Sequence, residues 1–391
     1  MSNPTNGPLC GLLVVDLTRV LAGPYAALML NELGARVIKV EPPKTGDDSR
    51  HIGPFVKTQD GRTKSGYFMS VNRAKESIAL DLKSPADRAI FEALLARADV
   101  LIENYRGGTM EKLGYGYDAL KDKYPKLVYC AVSGFGHTGP YAKRPAYDMV
   151  VQAMGGVMSL TGHPDSPPTR VGTSTGDLSA GLFAVIGIVT ALYDRKTTGK
   201  GQKVDVAMLD SQVALLENAI SRYVATGQVP GPLGSRHPSI APFAAFATKD
   251  GHIAIAAGND DLFARVARVI GREDLIADER FTTNPRRVQH VEALTEAMEV
   301  ALSAHTSAHW LAALDAAAVP SGPINNVAQV MADPQVLHRN MIVETLDPDL
   351  GPIRMQGNPV KLSAHADPKT RDHAPELDEH RAAILKELGL A

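Results

Sequence analysis

The feature that most restricts the fold is a strand–helix–strand alternation that begins at residue 11 and then recurs. "GLLVVDLT" (11–18) is a short run rich in Val and Leu, the composition of a strand covered on both faces. "LAGPYAALMLNELGA" (21–35) carries Pro24 near its start and Gly34 near its end, residues that open and close helices. "RVIKVEPP" (36–43) is again a strand. The same order returns in "SIALDL" (77–82), a helix opened by Ser84 and Pro85, "DVLIEN" (99–104), "LVYCAVSGFG" (127–136) and "GQKVDVAML" (201–209). Parallel strands need long crossovers, and helical crossovers cover both faces of the sheet. The expected fold is therefore α/β, with a doubly wound, Rossmann-like parallel sheet in a large domain.

The texture changes after residue 227. "DSQVALLENAISRYVATG" (210–227) reads as one long helix, and "VPGPLGSRHPSIAP" (229–242) as a Pro/Gly-rich loop. "FAAFATKDGHIAIAAG" (243–258) has a hairpin pattern with Asp250-Gly251 at its turn. Helical segments follow to about Ala318, then a loop-rich junction (319–336), a strand pair and a last helix near "EHRAAILKELGL". Three segments are expected: 1–227 in the large domain, 228–325 as a smaller α+β domain, and 326–391 returning to complete the large one.

A net charge of -2 gives the whole chain no electrostatic grip on nucleic acid or membrane. Cys10 and Cys130 match no metal-ligand spacing, and "HTSAH" (305–309) lacks the Glu of a zinc-protease helix, so no metal is expected. The turn "TRVLAGP" has one glycine where a dinucleotide fingerprint needs three. "MSNPTNGPLCGLLVVDLT" lacks the basic start of a signal peptide. The apolar stretch from Leu178 to Tyr193 would span about 24 Å as a helix, short for a membrane crossing. It reads as a buried core helix, and the expected location is the cytoplasm.

Basic residues stand beside several strand ends: Arg19, Arg50, Lys83, "ENYRGG" with Lys112 beyond it, and "YAKRPAY" with Arg144. Together they would suit an anion carrying several phosphates. "TRVGTSTGDLSAGLFAVIGIVTALY" (169–193) places one acid, Asp177, at the mouth of an apolar helix. There an Asp meets free N–H groups and the positive end of the helix dipole. The same surroundings would keep the carboxylate ionised at neutral pH, as a nucleophile requires. Helix-start residue and nucleophile are both open on this reading.

Seven segments in order resemble the family III CoA-transferases, the CaiB/BaiF group. They are "DLTRVLAGPYAALMLNELGARVIKVE", "NRAKESIALDLK", "IENYRGG", "SGFGHTGP", "RPAYDMVVQAMGG", "GDLSAGLFAVIGIVTALYDRKTTGKGQKVDVAM" and "VPSGPINNVAQVMADPQV". The resemblance covers about Gly11 to Pro375. It implies a CoA thioester donor, a carboxylic acid acceptor and no cofactor beyond CoA itself. It also implies a homodimer of two interlocked ring-like chains.

By the same resemblance the nucleophile falls on Asp177, and the CoA pocket on Val20, Leu80, Lys83, Asn104, Tyr105, Lys112 and Arg144, with Arg19 beside them. Tyr147 and Asp148 fall on the family's active-site pair, and Gly172 and Gly176 would leave room for the acyl group. α-Methylacyl-CoA racemases of this fold have His-Asp where this chain has Tyr147-Asp148, which disfavours that alternative. Formyl-CoA:oxalate enzymes carry Gln where Leu21 stands and four glycines where this chain reads "GPLGSRHPSIAP", which argues against oxalate. The texture looks more like the branch using succinyl-CoA with glutarate or hydroxymethylglutarate. Arg236 or His237 would then meet the far carboxylate of the acid, or "RHP" simply fixes the loop's path.

Overall fold

The structure, a computed structural model, describes residues 7–390. It divides into two compact units. The larger holds the chain up to Met158, Arg170–Gln228 and the chain from Pro334. The smaller holds Ser159–Thr169 and Val229–Asp333. Sequence texture missed that Ser159–Thr169 leaves the large unit, and put the return eight residues early.

The larger unit is built on six strands: β1 (Leu13–Asp16), β2 (Arg36–Glu41), β3 (Glu76–Ala79), β4 (Val100–Glu103), β5 (Val128–Ser133) and β6 (Lys203–Ala207). Their order is β3-β2-β1-β4-β5-β6, and every pairing is parallel. The chain starts at the middle, runs outward through β3, and crosses back to lay β4 beside β1. That reversal opens a crevice at the C-terminal ends of β1 and β4, where open sheets of this kind bind ligands. The central strands are largely apolar because both faces are covered: β4 and β5 are buried at every position.

Three helices frame the crevice: α1 (Ala22–Glu32), α2 (Asp148–Met154) and α3 (Thr175–Thr198). α3 is longer than the expected core helix, and only one of its faces is buried, through Ala180, Ala184, Ile188 and Ala191. Leu182, Phe183, Ile186, Val189 and Tyr193 are exposed on the other. The helix packs on α1 and the sheet, and among the described residues nothing covers its outer face. By length and composition it is the one described helix able to cross a membrane.

The long helix expected over 210–227 is two, Met208–Ala214 and Asn218–Thr226. Between them Glu217 has φ +36°, outside the helical region. The return segment pairs Ile342–Asp347 with Gly351–Gln356 antiparallel and with Thr370–Asp372 parallel. Its last helix, Arg381–Leu388, adds Ile384 to the core beside Phe91 and Ile78.

The smaller unit has a three-stranded antiparallel sheet, Ser321–Pro323, His252–Ala256 and Phe243–Ala247. The hairpin turns at residues 248–251. Its apolar face (Phe246, Ile253, Ile255) packs with Phe263, Leu294 and Trp310 from three helices.

Candidate active site

The site is set by the turn between β1 and α1. Asp16 ends β1, and with Thr18 just beyond it forms a buried polar cluster: Lys75 Nζ lies 2.9 Å from Asp16, and Lys39 Nζ donates to the Thr18 carbonyl at 2.7 Å and pairs with Asp47 at 2.9 Å. Burial opposes ionisation of Asp16, but Lys75 and Lys39 overcome it and hold its carboxyl below the usual range. Asp47 Oδ1 accepts the Val20 N–H at 3.0 Å, and the Asn104 side chain bonds both the Arg19 N–H (2.9 Å) and the Arg19 carbonyl (2.7 Å). These bonds hold Val20 at φ +67°, an unusual conformation for a β-branched residue that costs on the order of 1–3 kcal/mol. The twist delivers the N-terminus of α1 to the crevice, and the Ala22 N–H there donates to Asp177.

Asp177 is the third residue of α3, so it does not cap that helix itself, and Ser174 at the N-cap makes no side-chain capping bond; its Oγ accepts from Arg170 at 2.9 Å instead. The cap comes from Asp148, the first residue of α2, whose Oδ1 accepts the Gly176 N–H at 2.9 Å. Its Oδ2 accepts from Gln152 at 2.8 Å and twice from Arg170, at 3.0 and 2.9 Å. Asp148 thus fixes where α3 starts and, with it, where Asp177 points.

The electrostatics correct the expectation of a carboxylate held ionised by a helix start. Burial, then the charge of Asp148, push Asp177 up to about 7, against the pull of the Ala22 N–H and Arg170. Tyr67 belongs to the same field: burial and the charges of Asp177, Asp47 and Asp148 push its hydroxyl up to about 12. Neither Arg170 nor Tyr67 was singled out from sequence. Arg170 could have been, as the only cation in the segment that ends at Asp177; Tyr67 left no signal.

Arg19, Val20, Leu21, Asn104, Tyr105, Arg144, Tyr147 and Asp177 line one cavity at the switch point, with Arg106 and Asp48. Tyr105 also lines a neighbouring cavity with Leu80 and Lys83. Arg144 lies over the Tyr141 ring at 4.6 Å, and Arg19 over Tyr105 at 5.5 Å. Lys112 is exposed and lines neither cavity. Gly176 does not make room for an acyl group: a Cβ there would sit 2.6 Å from Val151 of α2, so the position serves helix packing. Gly172 faces open space.

Arg236 and His237 belong to the smaller unit. His237 is engaged in its own loop, where its N–H donates to the Phe243 carbonyl at 3.0 Å and its Nδ1 accepts the Ser239 N–H at 3.1 Å.

An open parallel sheet whose switch-point crevice carries arginines and a half-buried carboxylate, with no glycine-rich phosphate turn, belongs to an α/β class that handles anionic ligands through side chains. Known proteins narrow this class. The CoA-transferase family III model matches residues 9–381, and the chain belongs to that family.

It is 49% identical over 97% of its length to an acetyl-CoA:oxalate CoA-transferase of Acetobacter aceti, covering 96% of that protein. It is 40% identical to a succinyl-CoA:glutarate CoA-transferase of Homo sapiens, over 97% of this chain and 86% of that one. A crystal structure of a CaiB/BaiF family protein from Brucella suis superposes with a TM-score of 0.87 at 43% identity, covering 98% of this chain and 100% of that one. The Acetobacter enzyme is named for oxalate, the acid that Leu21 argues against.

Proposed function

We propose that the protein is a CoA-transferase that moves CoA from an acyl-CoA to a dicarboxylic acid through a mixed anhydride on Asp177. The observation that carries this reading is the placement of Asp177, half-buried, aimed at by the Ala22 N–H, and on the wall of an arginine-bearing crevice. One carboxylate oxygen of Asp177 attacks the thioester carbonyl, and the C–S pair leaves as CoA thiolate. A carboxylate oxygen of the acceptor then attacks the Asp177 carbonyl, and the donor acid departs as its carboxylate. Finally the thiolate attacks the acceptor's carbonyl carbon and frees Asp177. The electrophile comes with the thioester and the nucleophile with the chain, so the atoms balance with no further cofactor.

Partial burial suits these steps. It keeps water from the anhydride, and it raises the energy of the free carboxylate before attack. Arg19, Arg106 and Arg144 supply positive charge for the phosphates of CoA, with Tyr105 between the two cavities that its nucleotide half would occupy.

The named relatives support a dicarboxylate acceptor, since oxalate and glutarate are both dianions. Leu21 does not decide between them, because backbone N–H groups and arginines can hold a short dianion without a side chain at that position. A panel of acetyl-CoA and succinyl-CoA against C2–C6 mono- and dicarboxylates, read by mass spectrometry, tests the assignment. The expected products are CoA thioesters of dicarboxylates; transfer to monocarboxylates alone would remove this reading.

The exposed apolar side of α3, with Met149, Met154 and Tyr193, supports a homodimer in which a second copy covers it. We place the enzyme in the cytoplasm on the same ground, since dimer burial accounts for that face without a membrane. Sedimentation at twice the chain mass is the expected result.

A further inference from the structure

The crevice has two loop walls from neighbouring strands: residues 104–108 after β4 and 134–147 after β5. They meet at Gly107, where a Cβ would lie 3.0 Å from the Ala142 carbonyl oxygen. Glu103, the last residue of β4 and 1% exposed, reaches toward both walls. One oxygen accepts the Tyr105 N–H at 2.8 Å; the other accepts the Tyr129 hydroxyl at 3.2 Å and faces His137 Nε2 at 3.6 Å.

His137 is held from its far side. Lys203 Nζ lies 3.1 Å from its Nδ1, and its backbone N–H donates to Asp205 at 3.1 Å. An ammonium has only hydrogens to give, so Nδ1 is the acceptor and Nε2 carries the ring proton. That buried N–H has no hydrogen-bond partner, and Glu103 stands just beyond bonding distance. An inward shift of the second wall by about half an ångström would complete the bond.

We propose that Glu103 and His137 are a positioning pair whose contact draws the two walls together around bound CoA. The proposal rests on the assignment of this crevice to acyl-CoA. It goes beyond that assignment in giving work to two residues that touch no substrate. The other titratable and charged groups facing the pair are Tyr129 and Cys130 of β5, Lys203 and Asp205 of β6, Tyr105 of the first wall, and Glu111 from the following short helix. Burial pushes Glu103 up to about 7, and burial and Lys203 push His137 down. Protonation of Glu103 turns one accepting oxygen into a donor and discharges the other, which weakens its pull on His137, so CoA binding should weaken as pH falls from 8 to 6.

Calorimetric titration of the full chain with CoA tests this in wild type, Glu103→Gln, His137→Ala and the double variant. Gln keeps an acceptor for the Tyr105 N–H, and thermal melts check that each variant is folded. The expected result is about tenfold weaker binding in each single variant, no further loss in the double, and a flat pH profile in Glu103→Gln. Single variants that bind like wild type, or losses that multiply in the double, would overturn the pairing. If wild type itself bound no CoA, the transferase reading would fall and this inference with it.

Discussion

Replacing Asp177 with Ala should lower the rate of CoA transfer on the order of 10⁴-fold or more while CoA binding persists. The size follows from its role: without the nucleophile there is no covalent route, and the remaining pocket can only hold the reactants. Asp177→Asn should be equally inactive but more stable than wild type at pH 8. The native state raises this carboxyl from 3.8 to about 7, so the folded protein binds the proton more tightly than the unfolded chain. Its stabilising effect is therefore present below about pH 4 and lost as pH rises through 7. At pH 8 the buried charge costs up to about 4 kcal/mol, which Asn relieves while still accepting the Ala22 N–H. Thermal melts at pH 4 and pH 8 check this: the variants should coincide at the lower pH and separate at the higher. A catalytic carboxylate that destabilises its own fold is expected where activity demands burial.

The second large effect is at Asp148. Asp148→Ala leaves the Gly176 N–H and the Arg170 guanidinium without their acceptor. Loss of the cap and of a charge-assisted bond should cost about 2–3 kcal/mol, discounted because Arg170 is partly exposed. Activity should fall about 100-fold, since the first turn of α3 no longer holds Asp177 in place. Asp148→Asn separates geometry from charge. It can still accept the Gly176 N–H, but it removes the negative neighbour that raises Asp177 and frees Arg170 to lower it. The acid limb of kcat/KM, expected near pH 7 in wild type, should then move to lower pH. An unmoved limb would mean that the limb reports another group.

The sheet was legible because buried parallel strands leave short Val/Ile/Leu-rich runs, and Pro24, Gly34 and Pro85 mark helix ends chemically. The strand order was not, because no local pattern records which way a crossover turns. α3 shows a second limit. Its run from Leu182 to Val189 is apolar all round, so periodicity could not show that Ile186 faces outward while Ile188 is buried.

At the site, Asp177 stood out as a lone acid in an apolar stretch. Its electrostatics depended on Asp148, 29 residues earlier, and on a backbone N–H that no side chain announces. Glu103 sat inside a quoted segment, "IENYRGG", where attention went to Asn104 and Tyr105. Only the fold brings His137 to it.

The most direct test of the central claim follows the acceptor's oxygen. If the acceptor attacks the Asp177 carbonyl and Asp177 later leaves from the acceptor's acyl carbon, an acceptor oxygen stays behind in the Asp177 carboxylate. Turnover with a dicarboxylate labelled with oxygen-18, then mass spectrometry of the peptide containing Asp177, should show the label there and in no other carboxylate. Full turnover with an unlabelled Asp177 would contradict the account.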